Sequence, residues 1–197
     1  MCTLVVPCYN EAQRLDIASF CSFLEEDRNT TLLFVDDGST DNTVERIREI
    51  ETCCKSRAHL LLMKKNSGKA EAVRQGVLHA VKQGSLKVGF WDADLATPLG
   101  ELFRFRAVFD KDPDTELVCG SRVLRLGANI SRNWYRHYPG RVIATSISLI
   151  LGLQIYDSQC GAKLFTRDLA KKLFAEPFVS PWLFDVELFA RMIGLYG

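Results

Sequence analysis

The chain has 197 residues, 47% of them hydrophobic and 25% charged, which are globular proportions and exclude a disordered or fibrous chain. Basic and acidic side chains nearly cancel at a net +1, so no overall charge invites nucleic acid. Thirteen glycines and six prolines are too few for a low-complexity segment, and without a repeat or linker residues 1–197 read as one domain.

Up to residue 119, short apolar runs alternate with amphipathic stretches. TLVV at 3–6 precedes helical spacing at Leu15, Ala18, Cys21 and Leu24. LLFV at 32–35 leads through an acidic turn, with Asp41 expected as a helix cap, into Val44, Ile47 and Ile50. LLLM at 60–63 precedes Ala70, Val73, Val77, Ala80 and Val81, and VGFW at 88–91 and ELVC at 116–119 follow. Consecutive apolar runs of this length read as buried parallel strands. Their alternation with helices predicts a Rossmann-like α/β fold, a mostly parallel sheet with helices on both faces.

Beyond residue 120 the pattern changes. Residues 122–132 read as a polar loop and 134–154 as a long apolar segment with Pro139 near its start. Residues 163–165 read as a short strand, and 168–174 and 183–193 as helices. The uncharged apolar run at 142–156 is shorter than the ~20 residues of a bilayer span, and no basic leader precedes an apolar run at the start. Residues 120–172 hold nine basic and two acidic residues, net +7, whereas 1–119 is net −4. That contrast suggests a local anionic partner, with a solvated basic face as the plainer reading. The seven cysteines are odd in number, form no CxxC pair and include the adjacent Cys53 and Cys54. They argue against a disulfide framework or a zinc site and for a reducing compartment.

In an open α/β sheet, ligands sit beyond the carboxyl ends of the strands. Here those positions read Pro7-Cys8-Tyr9-Asn10-Glu11, then Asp36-Asp37-Gly38-Ser39-Thr40-Asp41, then Asn66-Ser67-Gly68-Lys69, then Asp92-Ala93-Asp94. Carboxylates crowded on one edge repel unless a cation joins them, and Mg2+ or Mn2+ shared with substrate phosphates would do so. The acidic turn at 36–41 has a duller reading as a turn and helix cap. The Asp92/Asp94 pair is harder to explain structurally, because alternate strand residues face the same way and can aim at one ion. A phosphatase using the Asp-x-Asp as nucleophile and acid/base, or a non-catalytic receiver-like module using Asp36 and Asp37, would place its acids after the first strand. Here they follow the fourth and the second.

In this order, VVPCYNEA, FVDDGSTDNT, NSGKAEAVRQG and FWDADLATP resemble the family 2 glycosyltransferases, GT-A fold enzymes that use nucleotide-diphosphate sugars. The later GSR at 120–122, DSQCGAKLFTR at 157–167 and WLFDVEL at 182–188 resemble the dolichyl-phosphate β-glucosyltransferase branch, close to the polyprenyl-phosphate mannose synthases. The likeness runs from Val5 to about Leu188 and implies roles residue by residue. Pro7, Tyr9 and Glu11 match the loop against base and ribose, and Asp37 the carboxylate that accepts from the base. Gly68 and Lys69 match the loop flanking the nucleotide, and Asp92 and Asp94 the pair that holds Mg2+ or Mn2+ with the sugar diphosphate. Arg122, with Arg132 or Arg136, matches the basic residues that receive an acceptor phosphate, and Asp157 and Asp185 lie in motifs of the branch.

The resemblance thus implies an inverting transferase. It would move glucose from UDP-glucose to a polyprenyl or dolichyl phosphate, with residues 1–119 serving the donor and 120–197 the acceptor. It also implies a cytoplasmic location, at a membrane face. Transfer to a sugar hydroxyl, with Asp157 or Asp185 as base, and nucleotide-sugar binding without turnover are the alternatives. Two departures stand out: Ala96 occupies a place where some mannose synthases carry Gln, and the Gln-x-x-Arg-Trp motif of processive synthases is absent.

Overall fold

The computed structural model describes residues 1–54, 56–121, 159–181 and 183–196. Their elements run β1 (Cys2–Cys8), α1 (Ile17–Glu26), β2 (Thr30–Asp36), α2 (Thr43–Cys53), β3 (Ala58–Leu62), α3 (Lys69–Lys82), β4 (Lys87–Trp91) and α4 (Glu101–Lys111). After these come β5 (Leu117–Cys119), β6 (Ala162–Thr166), α5 (Arg167–Leu173) and α6 (Phe184–Tyr196). The strands form one sheet in the order β3-β2-β1-β4-β6-β5. Strands β1 to β4 are mutually parallel, and β6 runs antiparallel to both β4 and β5.

Strand alternation sends successive side chains to opposite faces, and both faces are covered. Leu4, Val6, Leu32, Phe34, Trp91 and Leu164 pack on one face against Phe20 and Leu24 of α1, Ile47 and Ile50 of α2, and Leu102 and Phe105 of α4. On the other, Val5, Leu33, Val35, Val88, Phe90 and Phe165 meet α3, α5 and α6 through Val73, Val77, Leu169, Leu173, Phe184 and Leu188. Burial on both faces is why the central strands read as unbroken apolar runs. The buried Asp27 ties the layers together, pairing with Arg106 of α4 at 2.7 Å while its other contacts cap the turn into β2.

Several expectations need correcting. Helix α1 begins at Ile17, with Asp16 accepting the Ser19 N–H as its cap, and it buries Phe20, Cys21, Phe23 and Leu24 while Ala18 stays exposed. Helix α4 was not anticipated, although Leu102, Phe105 and Phe109 mark its buried stripe. The run at 116–119 forms no parallel neighbour of β4, because β6 inserts between them and leaves β5 as an edge strand. Strand β3 is the opposite edge, and its Leu62 is exposed. Asp41 lies one residue before the cap position, held by Asn42, yet its carboxylate accepts the Thr43 N–H and hydroxyl. The expected loop at 122–132, the apolar stretch at 134–154 and the residues Arg122, Arg132, Arg136 and Asp157 lie outside the described residues.

Strands β1, β2, β4 and β5 end, and the reversed β6 begins, at one edge of the sheet. Every strand-end motif singled out in the sequence therefore faces a common rim.

Candidate active site

The loop after β1 is fastened to the loop after β2. Asn10 adopts φ 53, a left-handed conformation that Asn tolerates. Its side-chain oxygen accepts the Thr40 N–H at 2.9 Å, and its own N–H donates to Ser39 Oγ at 3.0 Å. The Glu11 N–H donates to Thr43 Oγ1 at 2.8 Å, and the Ala12 N–H to Asp41 Oδ2 at 3.2 Å. These four contacts fix the stretch that presents Tyr9, which is exposed, next to Pro7 and Glu11.

Asp37 is buried at the end of β2. Its Oδ1 accepts the Ser67 N–H at 2.7 Å and its Oδ2 the Gly68 N–H at 2.8 Å. One carboxylate thus binds the ends of β2 and β3 together, and each oxygen keeps a second lone pair for another donor. Burial pushes the Asp37 carboxyl above the usual carboxylate range despite these two amides. Gly68 caps α3 with φ 90, a conformation that a side chain would strain. Lys69 follows as the first residue of α3.

Asp92 and Asp94 do not alternate along a strand, as the sequence suggested. Strand β4 stops at Trp91, and the pair sits in a turn where the Leu95 N–H returns to the Asp92 carbonyl at 3.2 Å. Leu95 has φ 51, an uncommon conformation for a non-glycine residue. The turn still groups the acids: Asp94 and Asp92 both act on Glu11, whose carboxyl is pushed up first by burial, with their negative charges adding to it against Arg14. Lys69 Nζ lies 2.5 Å from Asp92 Oδ1. The Lys69 ammonium is the partner of that oxygen, whereas buried Glu11 Oε2 accepts no hydrogen bond among the described residues. Carboxylates gathered on one rim, one oxygen of them unpartnered, are the donor set that a hard divalent cation takes.

The wall behind Asp92 comes from β6, and the sequence did not single it out. The Asp92 N–H donates to the Gly161 carbonyl at 2.9 Å, and a Cβ on Gly161 would collide with the Asp92 carboxylate itself. Only glycine admits that approach. One residue back, the Cys160 carbonyl accepts from Lys163 Nζ at 2.9 Å. Lys163 is fully buried, and its ammonium pairs with Asp185 at 2.5 Å and lies over the ring of Phe90. Burial pushes the Asp185 carboxyl up, while Lys163 and, more weakly, Lys69 hold it down and Asp92 adds to the rise. Asp185 thus stands behind the rim as the counter-charge of Lys163, within electrostatic reach of the Lys69–Asp92 pair. The motif at 157–167 drew notice as a block, but nothing in it marked Gly161 and Lys163 as supports of a carboxylate on β4.

A doubly covered, mainly parallel sheet with acidic strand ends, an ammonium and a glycine-capped helix on one rim defines an open-sheet α/β protein whose ligand site lies beyond the carboxyl ends of its strands. The model of glycosyl transferase family 2 matches residues 3–174, and the chain belongs to that family. It is 33% identical over 94% of its length to a dolichyl-phosphate β-glucosyltransferase of Dictyostelium discoideum, covering 60% of that protein. To the Saccharomyces cerevisiae protein of the same name it is 32% identical, with 94% of this chain and 60% of that one covered. The chain thus spans about 60% of the length of the curated relatives it matches. Among solved structures it superposes on Mycobacterium tuberculosis glucosyl-3-phosphoglycerate synthase, solved with Mn2+, UDP and product, at a TM-score of 0.71 and 18% identity. That match covers 99% of this chain and 66% of the other. It also superposes on a Pyrobaculum calidifontis mannosyltransferase, solved with GDP-mannose and Mn2+, at 0.58 and 22%, covering 87% and 46%. The fold expected from the motifs, GT-A with helices on both faces, is the one present.

Proposed function

We propose that this chain carries the catalytic domain of a metal-dependent inverting glycosyltransferase that moves glucose from UDP-glucose to a polyprenyl or dolichyl phosphate. The observation that carries the reading is the rim itself. Asp92, Asp94 and Glu11 gather there, with buried Glu11 Oε2 accepting no hydrogen bond among the described residues and the Lys69 ammonium against Asp92. Asp92 and Asp94 would hold Mg2+ or Mn2+, which when bound neutralises a departing diphosphate. The names of the relatives supply the sugar and the lipid phosphate, and the solved neighbours supply the precedent of a nucleotide with Mn2+.

The chain's own residues do the rest. Pro7 and Tyr9 offer a surface to the base and ribose, Asp37 retains lone pairs for a base N–H, and Gly68 lets the nucleotide approach closely. Lys69 offsets negative charge where the sugar C1–oxygen bond to the diphosphate breaks. Arg122 and Arg136 suit the incoming phosphate, because a guanidinium fork grips two of its oxygens. Such a phosphate, with a second pKa of about 6, is largely ionised at neutral pH. It can form the new bond to C1 from the opposite face without a strong base. Asp157 remains the candidate base for a hydroxyl acceptor, and Asp185, paired with Lys163, serves better as a support. No helix among the described residues is long and apolar enough to cross a membrane. A lipid acceptor nonetheless places the reaction at a membrane face, on the cytoplasmic side, where nucleotide sugars are available.

The test is transfer of labelled glucose from UDP-glucose to a short-chain polyprenyl phosphate, set against free oligosaccharides, with Mn2+ present. Transfer to the lipid phosphate is expected. It should vanish in Asp94→Asn, with circular dichroism unchanged and Mn2+ affinity, followed by electron paramagnetic resonance, reduced. Transfer to sugar hydroxyls with none to the lipid would overturn the acceptor, and undiminished activity in Asp92→Asn and Asp94→Asn would overturn the metal site.

A further inference from the structure

All seven cysteines are free thiols, and the fold gathers three of them. Cys21 on α1, Cys53 at the last position of α2 and Cys54 at its cap have sulfur atoms that all lie within 4.8 Å of one another. Their backbones are firmly held. The Cys54 N–H donates to the Ile50 carbonyl at 3.0 Å, and its own carbonyl receives the Arg57 and Ala58 N–H groups at 2.8 and 3.1 Å. Cys21 and Cys54 are buried in the core between the helices and the sheet, whereas Cys53 is exposed. Two ligands are therefore fixed from within, and the third opens the cluster to solvent. No CxxC spacing announces this, since the three meet only because α1 packs on α2.

We propose that Cys21, Cys53 and Cys54 form a three-thiolate site for a soft d10 cation such as Zn2+ or Cd2+, with a fourth position left to water on the Cys53 side. Sulfur-rich sites select such ions, while oxygen sites such as the Asp92 rim select Mg2+ and Mn2+. In the metal-free protein burial favours the protonated form of the two inner thiols. Burial pushes Cys21 up to about 12, with Cys53 and Cys54 adding to it, and burial likewise raises Cys54 against the favourable charge of Arg57. On binding, each thiol gives its proton to the buffer and its sulfur to the ion, and Arg57 offsets part of the surplus negative charge. The bound ion would staple the C-terminal end of α2 to α1.

The experiment adds Cd2+ alone to the reduced full chain and follows the ultraviolet thiolate-to-cadmium charge-transfer band, which the oxygen ligands of the Asp92 rim do not produce. One equivalent should saturate the band. Cys53→Ser, at an exposed position that threatens no packing, and Cys21→Ala should each weaken binding at least about tenfold, or 1.4 kcal/mol. Cys119→Ala, outside the cluster, should leave the titration unchanged. A missing band, or one undiminished in both Cys53→Ser and Cys21→Ala, would overturn the site. Neither result touches the glycosyltransferase reading, which Mn2+ binding and glucose transfer report separately.

Discussion

The carboxyl ends of β2 and β4 carry a buried and a half-buried aspartate, and they satisfy them differently. At β2, Asp37 has an amide on each oxygen and serves as a peg between two strand-end loops. At β4, Asp92 has the Lys69 ammonium 2.5 Å from one oxygen and a bare glycine pressed against its carboxylate. At the first end Asp37 is satisfied by backbone amides, although the Oδ1 of its neighbour Asp36 accepts no hydrogen bond among the described residues. The second is shaped by its neighbours and left electrostatically open. A rim built this way holds its loops by backbone hydrogen bonds and leaves part of its charge balance to what binds.

The largest effect on rate expected from breaking this contrast is that of Gly161→Ala. The new methyl group displaces Asp92, and misplacement of a reacting-site group by ~1 Å costs on the order of a hundredfold in rate. Overpacking should also lower stability by roughly 1–3 kcal/mol. Glucose transfer and urea denaturation read the two separately, and near-normal transfer would show that Asp92 need not stand where it does.

Lys163→Met comes next. It leaves Asp185 buried without its counter-charge, a loss of about 3–5 kcal/mol, whereas the double change Lys163→Met with Asp185→Leu should restore most of it. Denaturation midpoints of the two variants decide this. A double variant no more stable than the single would mean that the pair matters through the Cys160 carbonyl rather than through charge.

The smallest effect belongs to Asp37. Asp37→Asn turns an NH2 toward one of the Ser67 and Gly68 amides and should cost about 1–3 kcal/mol. It also has a pH signature. The folded carboxyl titrates above the ordinary 3.8, so in that window the folded state holds a proton that the unfolded chain has released. The stability from this group therefore falls as pH rises from 3.8 through the raised value. The gap between wild type and Asp37→Asn should narrow over that range, and a gap that widens would assign the shift to another group.

Much of this was legible in the sequence. The four parallel strands appear as apolar runs because both sheet faces are covered, and the strand-end rule picked out Asp37, Lys69, Asp92 and Asp94 before any coordinates. Helix α4 escaped because Leu102-Phe103-Arg104-Phe105-Arg106 alternates as a strand would, and its helical stripe shows only when Phe109 is added. The position of β5 escaped because a run of apolar residues does not say which strand lies beside it. Gly161 and Lys163 escaped for a deeper reason: their importance lies in what β6 brings against β4, and pairing between distant segments leaves no local spacing to read.

The Gly120 N–H donates to the Ala162 carbonyl at 2.9 Å, so the chain departs after β5 and returns into β6 through neighbouring points beside Gly161 and Asp92. Tying two such points together grows costlier by only about 0.6 kcal/mol for each doubling of the chain length between them. The sheet can therefore absorb a longer or shorter connection between β5 and β6 at little cost to its stability.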